Sequence, residues 1–249
     1  MSKNAFLMVL NQKNVLLIFL IGKILRFIFF VTFLFFLVSG SENLAGYNSR
    51  QVIFFFLTFM VVDTTAQFFF REVYRFRSYV VSGDFDLILV KPMNALFRVL
   101  MGGADVIDLI TLPPLYAAVV YVGSLFSPTP YQVFIYLILL LSGFLITTAF
   151  HIIVISFGII TLEVDHSIMI YRDISAMGRF PVDIYRQPLK GILTYFIPVA
   201  IIMTLPAKAF MGLVNFRGIL LAIIIASVFI FLSLRFWKFA LKKYTSASS

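Results

Sequence analysis

The sequence predicts an all-α polytopic membrane protein with about six transmembrane helices. Of its 249 residues, 61% are hydrophobic and only 12% are charged, about half the ~25% that is usual for soluble domains. The mean hydropathy is +1.03, and several apolar runs reach the ~20 residues that a helix needs to cross a bilayer. Because backbone polar groups in lipid must be paired within their own segment, we expect these runs to be helices.

The first 40 residues change from a mixed to an apolar composition. Residues 3–21 combine Lys, Asn and Gln with apolar side chains, which is typical of a helix lying in the membrane interface. The first span is predicted over 22–40, where Lys23 and Arg26 can extend their charges to the headgroups.

Four further apolar runs are predicted to span the membrane. They cover 51–70, 98–123, 132–160 and 218–238. The whole chain, 1–249, is interpreted as a single transmembrane domain. Cysteine is absent, which excludes disulfides and thiolate metal sites.

The region 161–215 does not give one clear prediction. Residues 163–190 carry too many charges for an ordinary span, and the apolar run 191–211 is interrupted by Pro198 and Pro206. Hydropathy alone allows 161–190 to be a cytoplasmic loop. A charged residue at the centre of a bilayer costs roughly 2.5–3.5 kcal/mol on insertion scales, so charges kept there need partners.

The basic residues are distributed unevenly along the chain. Thirteen of the 20 Lys and Arg residues lie in the N-terminal segment, the connection between the second and third spans, and the C-terminal end, whereas three lie firmly on the other side. Because Lys and Arg are retained on the cytoplasmic side, both termini and the 71–97 connection are predicted to be cytoplasmic. The net charge of +9 is interpreted as this sidedness and not as nucleic-acid binding.

The segment 82–94 concentrates polar residues, Gly and Pro between two apolar blocks. Gly83 permits a turn, and Asp84 and Asp86 then lie where a helix N-terminus favours negative charge. Pro92 stops that helix and restricts Lys91. The pattern predicts a short amphipathic helix on the cytoplasmic face that docks a soluble partner; an ordinary solvated loop is the alternative.

Acidic residues inside the predicted spans are the other candidates for function. Asp63 lies in the middle of the second span with Gln67 one turn later, and an intramembrane acid marks either a functional site or a structural hydrogen bond. Asp105 and Asp108 lie three residues apart near the inner end of the third span. An intramembrane lipid-modifying enzyme using Asp63 or Asp105/Asp108 is therefore an alternative function, although capping or pairing with Arg98 also explains the latter two. A non-enzymatic membrane scaffold is a third possibility.

Two blocks of sequence carry a resemblance to a known family. They read Ser82-Gly83-Asp84-Phe85-Asp86-x-x-Leu89-Val90-Lys91-Pro92-x-Asn94-x-Leu96-Phe97 and Phe180-Pro181-Val182-Asp183-Ile184-Tyr185, the latter followed by Leu189-Lys190, Pro198 and Pro206-Ala207. In this order, and with this length and hydropathy, the chain resembles the six-helix bacterial permeases of ABC-2 type transporters.

The resemblance implies a role for each part of the chain. The 82–94 segment would be a coupling helix that contacts an ATPase, and residues 3–21 would be an interfacial helix beside it. A fifth span over 162–180 and re-entrant helices over 181–212 are implied as well. The implied ATPase contacts are Gly83, Asp84, Phe85, Asp86, Leu87, Lys91, Pro92 and Asn94.

The resemblance also implies partners and a location. A separate ATP-binding-cassette ATPase would bind ATP and Mg²⁺, because this sequence has no G-x-x-x-x-G-K-[ST] phosphate loop and is expected to hold no cofactor of its own. The chain would pair with a second copy or with a homologous permease, in contact with lipid, in the bacterial cytoplasmic (inner) membrane. Export is implied as the direction of transport, with no covalent chemistry by the permease.

Overall fold

Helices make up most of the chain. The computed structural model describes residues 13–41, 43–103, 105–161 and 164–245. It is 84% helical, and the described residues contain no strand but only an isolated antiparallel bridge between Leu44 and Tyr47. The predicted all-α fold class is confirmed.

We number the described helices in chain order. They are α1 (Lys13–Ser41), α2 (Ser49–Phe69), α3 (Phe76–Val81), α4 (Asp84–Val90), α5 (Ala95–Met101), α6 (Val106–Ser124), α7 (Pro130–Thr161), α8 (Val164–Ala176), α9 (Leu189–Phe196), α10 (Ala200–Phe210) and α11 (Phe216–Lys243). Short 3₁₀ turns at Arg71–Arg75, Met177–Arg179 and Val182–Ile184 connect some of them.

Five helices, α1, α2, α6, α7 and α11, are long and apolar enough to cross a bilayer. The pair α9 and α10 meets the same criteria only when taken together, and it is bent by 76°. The described residues therefore provide five or six spans, which agrees with the about six predicted from the sequence.

Helix α7 forms the centre of the bundle, where it packs along α10 and α11. Its residues Leu139, Ile146 and Ile155 are fully buried. Gly143 allows α10 to approach closely, since a Cβ added at this glycine would lie 2.7 Å from the carbonyl oxygen of Ile202. Most of α1, by contrast, exposes large apolar side chains, as expected of a helix that faces lipid.

Helices α2 and α6 are antiparallel neighbours. The Thr65 hydroxyl lies 3.0 Å from the Tyr116 hydroxyl, and towards the other end of the pair the Phe54 and Phe126 ring centroids are 5.4 Å apart. The start of α6 therefore lies beside the end of α2, at the same end of the bundle as the 71–97 connection.

The region that hydropathy left open contains short elements. Where a fifth span over 162–180 was expected, the described helix α8 has 13 residues, fewer than the ~20 that span a bilayer unaided. The bend between α9 and α10 lies in the expected re-entrant region 181–212, and Pro206 stands in the first turn of the helical segment Leu205–Phe210. Whether these elements enter and leave the membrane on one side stays a prediction.

The expected interfacial helix 3–21 falls partly outside the described residues, which begin at 13. Residues 13–21 form the first turns of α1 and continue into the predicted first span without a break. The run from Val15 to Leu20 is apolar throughout, so nothing in the local sequence ends the helix there.

Candidate functional site

The 82–94 segment folds into α4 between two turns. Gly83 has a φ of 78°, a left-handed conformation that glycine adopts without the penalty other residues incur. Asp84 and Asp86 follow in the first helical turn, where their charges meet the exposed N–H groups. The Ser82 hydroxyl donates to the Asp84 carboxylate at 2.8 Å.

The far end of α4 is fixed by local chemistry as well. Lys91 is extended, with φ −73° and ψ 146°, as expected of a residue that precedes a proline. Asn94 then caps α5, because its side-chain oxygen accepts a hydrogen bond from the Phe97 backbone N–H at 3.0 Å. These turns hold α4 in one orientation relative to α3 and α5.

One face of α4 is anchored by Phe85. Its ring is fully buried and meets the rings of Phe76 and Tyr244 edge to face, with centroids 5.2 and 5.1 Å away. Trp237 of α11 lies 6.3 Å from it in the same cluster. A displacement of α4 must therefore move its contacts in α3 and at the end of α11.

The opposite face of α4 and its surroundings are apolar but exposed. We call this the docking face; it comprises Leu87, Val90, Met93 and Phe97, which are 50–82% exposed. Charged residues flank it at Asp86 and Lys91. Several large apolar side chains exposed beside charged residues are typical of a protein interaction site.

Tyr244 lies beside the first turn of α4, just after α11 ends. Burial and the nearby Asp86 carboxylate raise the pKa of Tyr244 to about 12. The phenol therefore stays neutral at physiological pH and remains part of the aromatic cluster around Phe85.

Glu72 is a buried acid that the sequence analysis did not single out. It accepts a hydrogen bond from the Tyr79 hydroxyl and lies 3.5 Å from Arg98 Nη1 and 3.9 Å from Arg75 Nη1. A Cβ at Gly103 would lie 2.5 Å from its carboxylate. The sequence signal that could have identified Glu72 is that it is a lone acid in a segment rich in arginine.

Asp105 and Asp108 do not form one site. Asp105 caps α6, accepting from the Ile107 N–H at 2.8 Å, and its other oxygen lies 3.3 Å from Arg71 Nε. Asp108 pairs with Lys23 of α1. The expected partner of this pair of acids, Arg98, instead contacts Glu72, because α5 directs it towards the 71–75 turn.

The lipid-enzyme alternative gains no support from this arrangement. Among the residues that the structure describes, no group of three or more His, Cys, Asp or Glu side chains is placed to hold a metal ion. Asp105 and Asp108, at the start of α6, each form an ion pair with a different basic residue, Arg71 and Lys23 respectively.

Asp63 and Gln67 lie together in the wall of a cavity. The Gln67 side-chain amide donates to the Asp63 carboxylate at 2.7 Å. The cavity has a volume of about 400 Å³ and lies between α1, α2 and α6. A second cavity of about 170 Å³ extends from it towards α8, and Asp63 and Gln67 line both.

Three arginines distant in sequence line these cavities. Arg26 comes from α1, Arg172 from α8, and Arg179 from the turn after α8. The charges of all three act on Asp63. The sequence showed that each arginine was present in or near an apolar region, but it could not show that they converge.

A second polar cluster lies at the opposite end of the bundle. Asp183 accepts from the Tyr47 hydroxyl at 2.9 Å and from Lys190 Nζ at 2.9 Å, and Lys208 Nζ lies 2.5 Å away. Burial alone would raise the pKa of the Asp183 carboxyl, but the two lysines outweigh it and lower the pKa to about 2. The cluster ties the α1–α2 connection to the region around α9 and α10.

Comparisons with known proteins add one result. The family model described as ABC-2 family transporter protein matches residues 20–248, which is nearly the whole chain. No curated protein matches significantly, and no solved structure does so either.

Proposed function

This chain belongs to the ABC-2 family of transporter proteins, and on that premise we propose that it is the permease subunit of an ATP-binding-cassette exporter driven by a separate ATPase. The family supplies the membrane subunit of such transporters and not the catalyst. The ATPase partner, the direction of transport and the orientation in the membrane belong to the proposal.

The observation that carries the proposal is the two-sided structure of α4. Phe85 anchors one face in the bundle, whereas Leu87 and Val90 on the other are 60% and 82% exposed. Large apolar side chains at the water-facing end of a membrane protein need a partner to cover them. A groove on the ATPase is the partner that we propose.

The anchoring also suggests how the ATPase would drive the permease. When the ATPase pair closes on ATP and Mg²⁺, which it binds itself, it would push on the docking face. The rigid cluster of Phe85, Phe76 and Trp237 would pass that displacement to α3 and α11. The bundle would then change which side of the membrane its cavity faces.

The charge distribution supports the orientation. With α4 on the cytoplasmic side, both termini are cytoplasmic, and the outer cluster around Asp183 faces the other side, as expected from the excess of Lys and Arg near α4. We place the protein in the bacterial cytoplasmic membrane. Its partners are the ATPase, lipid, and a second copy or a homologous permease; nucleic acid is not among them.

Site-specific cross-linking tests the proposal. A photo-crosslinking amino acid at position 87 in native membranes should capture a nucleotide-binding subunit, identified by mass spectrometry. The matched control is position 131 in the first turn of α7, where Tyr131 is 63% exposed at the opposite end of the bundle. Capture of lipid alone from position 87, or capture of the ATPase equally from both positions, would contradict it.

A substitution pair tests the same surface without a cross-linker. Val90→Glu should prevent co-purification of the ATPase, because it places a charge in an apolar interface. Tyr131→Glu, at a comparably exposed position, should leave the association intact. An ATPase that co-purifies equally with both variants would show that α4 is not its docking site.

A further inference from the structure

The two cavities that meet at Asp63 share lining residues, and we call them together the recess. Arg26, Phe59, Asp63, Gln67 and Arg179 line both of them. The larger, at about 400 Å³, falls within the roughly 300–1,000 Å³ range of small-molecule sites. Arg26 and Arg172 are exposed, which places them where the recess opens.

The recess carries more positive charge than its own acids balance. Of its basic residues, Lys23 is paired by Asp108. Among the described residues, Arg26, Arg172 and Arg179 form no salt bridge within 4 Å. The acids in the lining are Asp63 and Asp173, so three guanidinium groups face two acids and at least one positive charge is left.

The guanidinium groups are positioned by aromatic rings. The guanidinium carbon of Arg179 lies 5.9 and 5.8 Å from the ring centroids of Phe30 and Phe59. That of Arg172 lies 5.9 Å from the Tyr74 ring. These distances place each guanidinium beside an aromatic ring, and the N–H donors of a guanidinium suit the oxygens of a phosphate or carboxylate.

Polarity changes in the same direction along three helices. Towards one end, α1 provides Lys23 and Arg26, α2 provides Asp63 and Gln67, and α6 provides Thr111. Towards the other end the lining is apolar. It consists of Phe27 and Phe30 of α1, Phe56 and Phe59 of α2, and Leu115 and Ala118 of α6. Arg179 is the charged residue that reaches this part of the lining, because its guanidinium lies beside Phe30 and Phe59.

Asp63 and Phe56 are seven residues apart on α2, which corresponds to about 10 Å along the helix at 1.5 Å per residue. The polar residues around Asp63 and the apolar residues around Phe56 are therefore separated by roughly the length of a short acyl segment.

We propose that this recess binds an anionic amphiphile, with its charged headgroup among Arg26, Arg172 and Arg179 and its hydrocarbon part among the phenylalanines. Resting on the proposed permease function, this assigns the substrate class. The excess of positive charge selects an anion over a zwitterion, and the apolar residues select an amphiphile over a free anion. Asp63 limits the positive charge and so limits how tightly the headgroup is held.

Equilibrium binding to the full chain in zwitterionic nanodiscs tests the proposal. The probe is fluorescent phosphatidylglycerol, and phosphatidylcholine with the same chains and label is the comparison. We expect the wild type to prefer the anionic lipid by about tenfold, the scale of one charge-assisted hydrogen bond. Equal binding of the two lipids would overturn the proposal.

Two substitutions should act in opposite directions. Arg179→Gln should abolish the preference for the anionic lipid, and Arg179→Lys should retain part of it. Asp63→Asn removes a negative charge but keeps an acceptor for Gln67, so the anionic lipid should bind more tightly. If Arg179→Gln and Asp63→Asn both weaken binding, the residues act through the fold and the proposal fails. Arg217→Gln, at an exposed position outside the recess, is the charge-matched control.

Inorganic phosphate as a competitor separates the amphiphile from a free anion. Displacement of the lipid by phosphate at equal concentration would show a simple anion site and overturn the proposal. Loss of lipid preference with intact ATPase capture at position 87 would contradict this inference alone. Intact lipid binding without ATPase capture would instead contradict the permease function.

Discussion

The Phe85 ring meets the Tyr244 ring edge to face with their centroids 5.1 Å apart. This contact joins α4 to the residue that follows α11, two segments separated by most of the chain. Aromatic pairs of this geometry contribute about 0.5–1.5 kcal/mol beyond their buried area. Phe85 thereby connects α4, whose opposite side carries the docking face, to the end of the last helix of the bundle.

We predict that Phe85→Ala uncouples α4 from the bundle. Removing a fully buried ring should lower the free energy of unfolding by about 3–5 kcal/mol. Trp237, the sole tryptophan in the sequence, lies in the same cluster and reports the loss through its fluorescence. ATPase stimulation by the permease should fall as well.

Leu87→Ala is the control for this prediction, because Leu87 lies on the same helix but is 60% exposed. It should leave the stability of the permease alone nearly unchanged while weakening ATPase binding. Equal destabilisation by the two variants would show that Phe85 is not the anchor.

The turn at Gly83 gives a second prediction. Its φ of 78° costs an ordinary L-residue about 1–2 kcal/mol, whereas Asn tolerates this region. Gly83→Val should therefore displace α4 and reduce ATPase stimulation, and Gly83→Asn should preserve it. Stimulation assays on the reconstituted complex would distinguish them; equal activity of both variants would mean that the turn does not position α4.

Local signals made α4 predictable from the sequence. A glycine, two acids in the first turn and a proline after the last turn each act within a few residues, so their effect does not depend on the rest of the fold. The all-α membrane fold class was predictable for a similar reason, because the hydropathy of a segment indicates whether lipid or water surrounds it.

The recess was not predictable, because its charges come from separate parts of the chain. Arg26 and Arg179 are more than 150 residues apart in sequence, and only tertiary packing brings them to Asp63. The same dependence on tertiary packing explains why the expected pairing of Arg98 with Asp105 and Asp108 was wrong. Spacing along a helix shows which side chains share a face, but it cannot show which neighbouring element supplies the counter-ion.

Asp183 provides a prediction for pH dependence. Its side chain is 20% exposed, and its pKa is lowered to about 2 by the hydrogen bonds and charges of Lys208 and Lys190. A carboxyl whose folded pKa lies below its unfolded value of about 3.9 stabilises the fold above that value. That stability, about 2 kcal/mol, should be lost as the pH falls from about 4 towards 2.

The measurement is the difference in unfolding free energy between wild type and Asp183→Asn as a function of pH. It should be constant from pH 7 to about 5 and shrink at lower pH. Asp165→Asn is the comparison, since its pair with Arg77 is 3.7 Å long and more than half exposed on both sides. Such a pair contributes about 0–1 kcal/mol, so a similar effect of both variants would contradict the prediction.

The ion pair between Lys23 and Asp108 should behave as a partly buried pair. Asp108 is 1% exposed and Lys23 is 32% exposed. Asp108→Leu leaves the ammonium without its partner and should destabilise the protein by about 3 kcal/mol. Adding Lys23→Met should restore most of the loss, because replacing both ions by apolar groups is often nearly neutral.

Thermal unfolding of the two single variants and the double variant in one detergent completes the cycle. If the double variant is no more stable than Asp108→Leu, the two residues are not energetically coupled. Transport that survives in the double variant would also exclude Asp108 as a catalytic acid.

A close approach between two backbones in the core gives the last prediction. A Cβ at Gly143 would lie 2.7 Å from the Ile202 carbonyl oxygen and 2.9 Å from its Cα, and backbone atoms cannot move aside as a side-chain tip can. Gly143→Ala should separate α7 from α10 and cost about 1–3 kcal/mol. Gly22→Ala is the matched control, because nothing lies within 4 Å of a Cβ there and alanine favours helix over glycine by about 1 kcal/mol. Unfolding temperatures should therefore shift in opposite directions; a rise for both would show that α10 can retreat from α7 without loss.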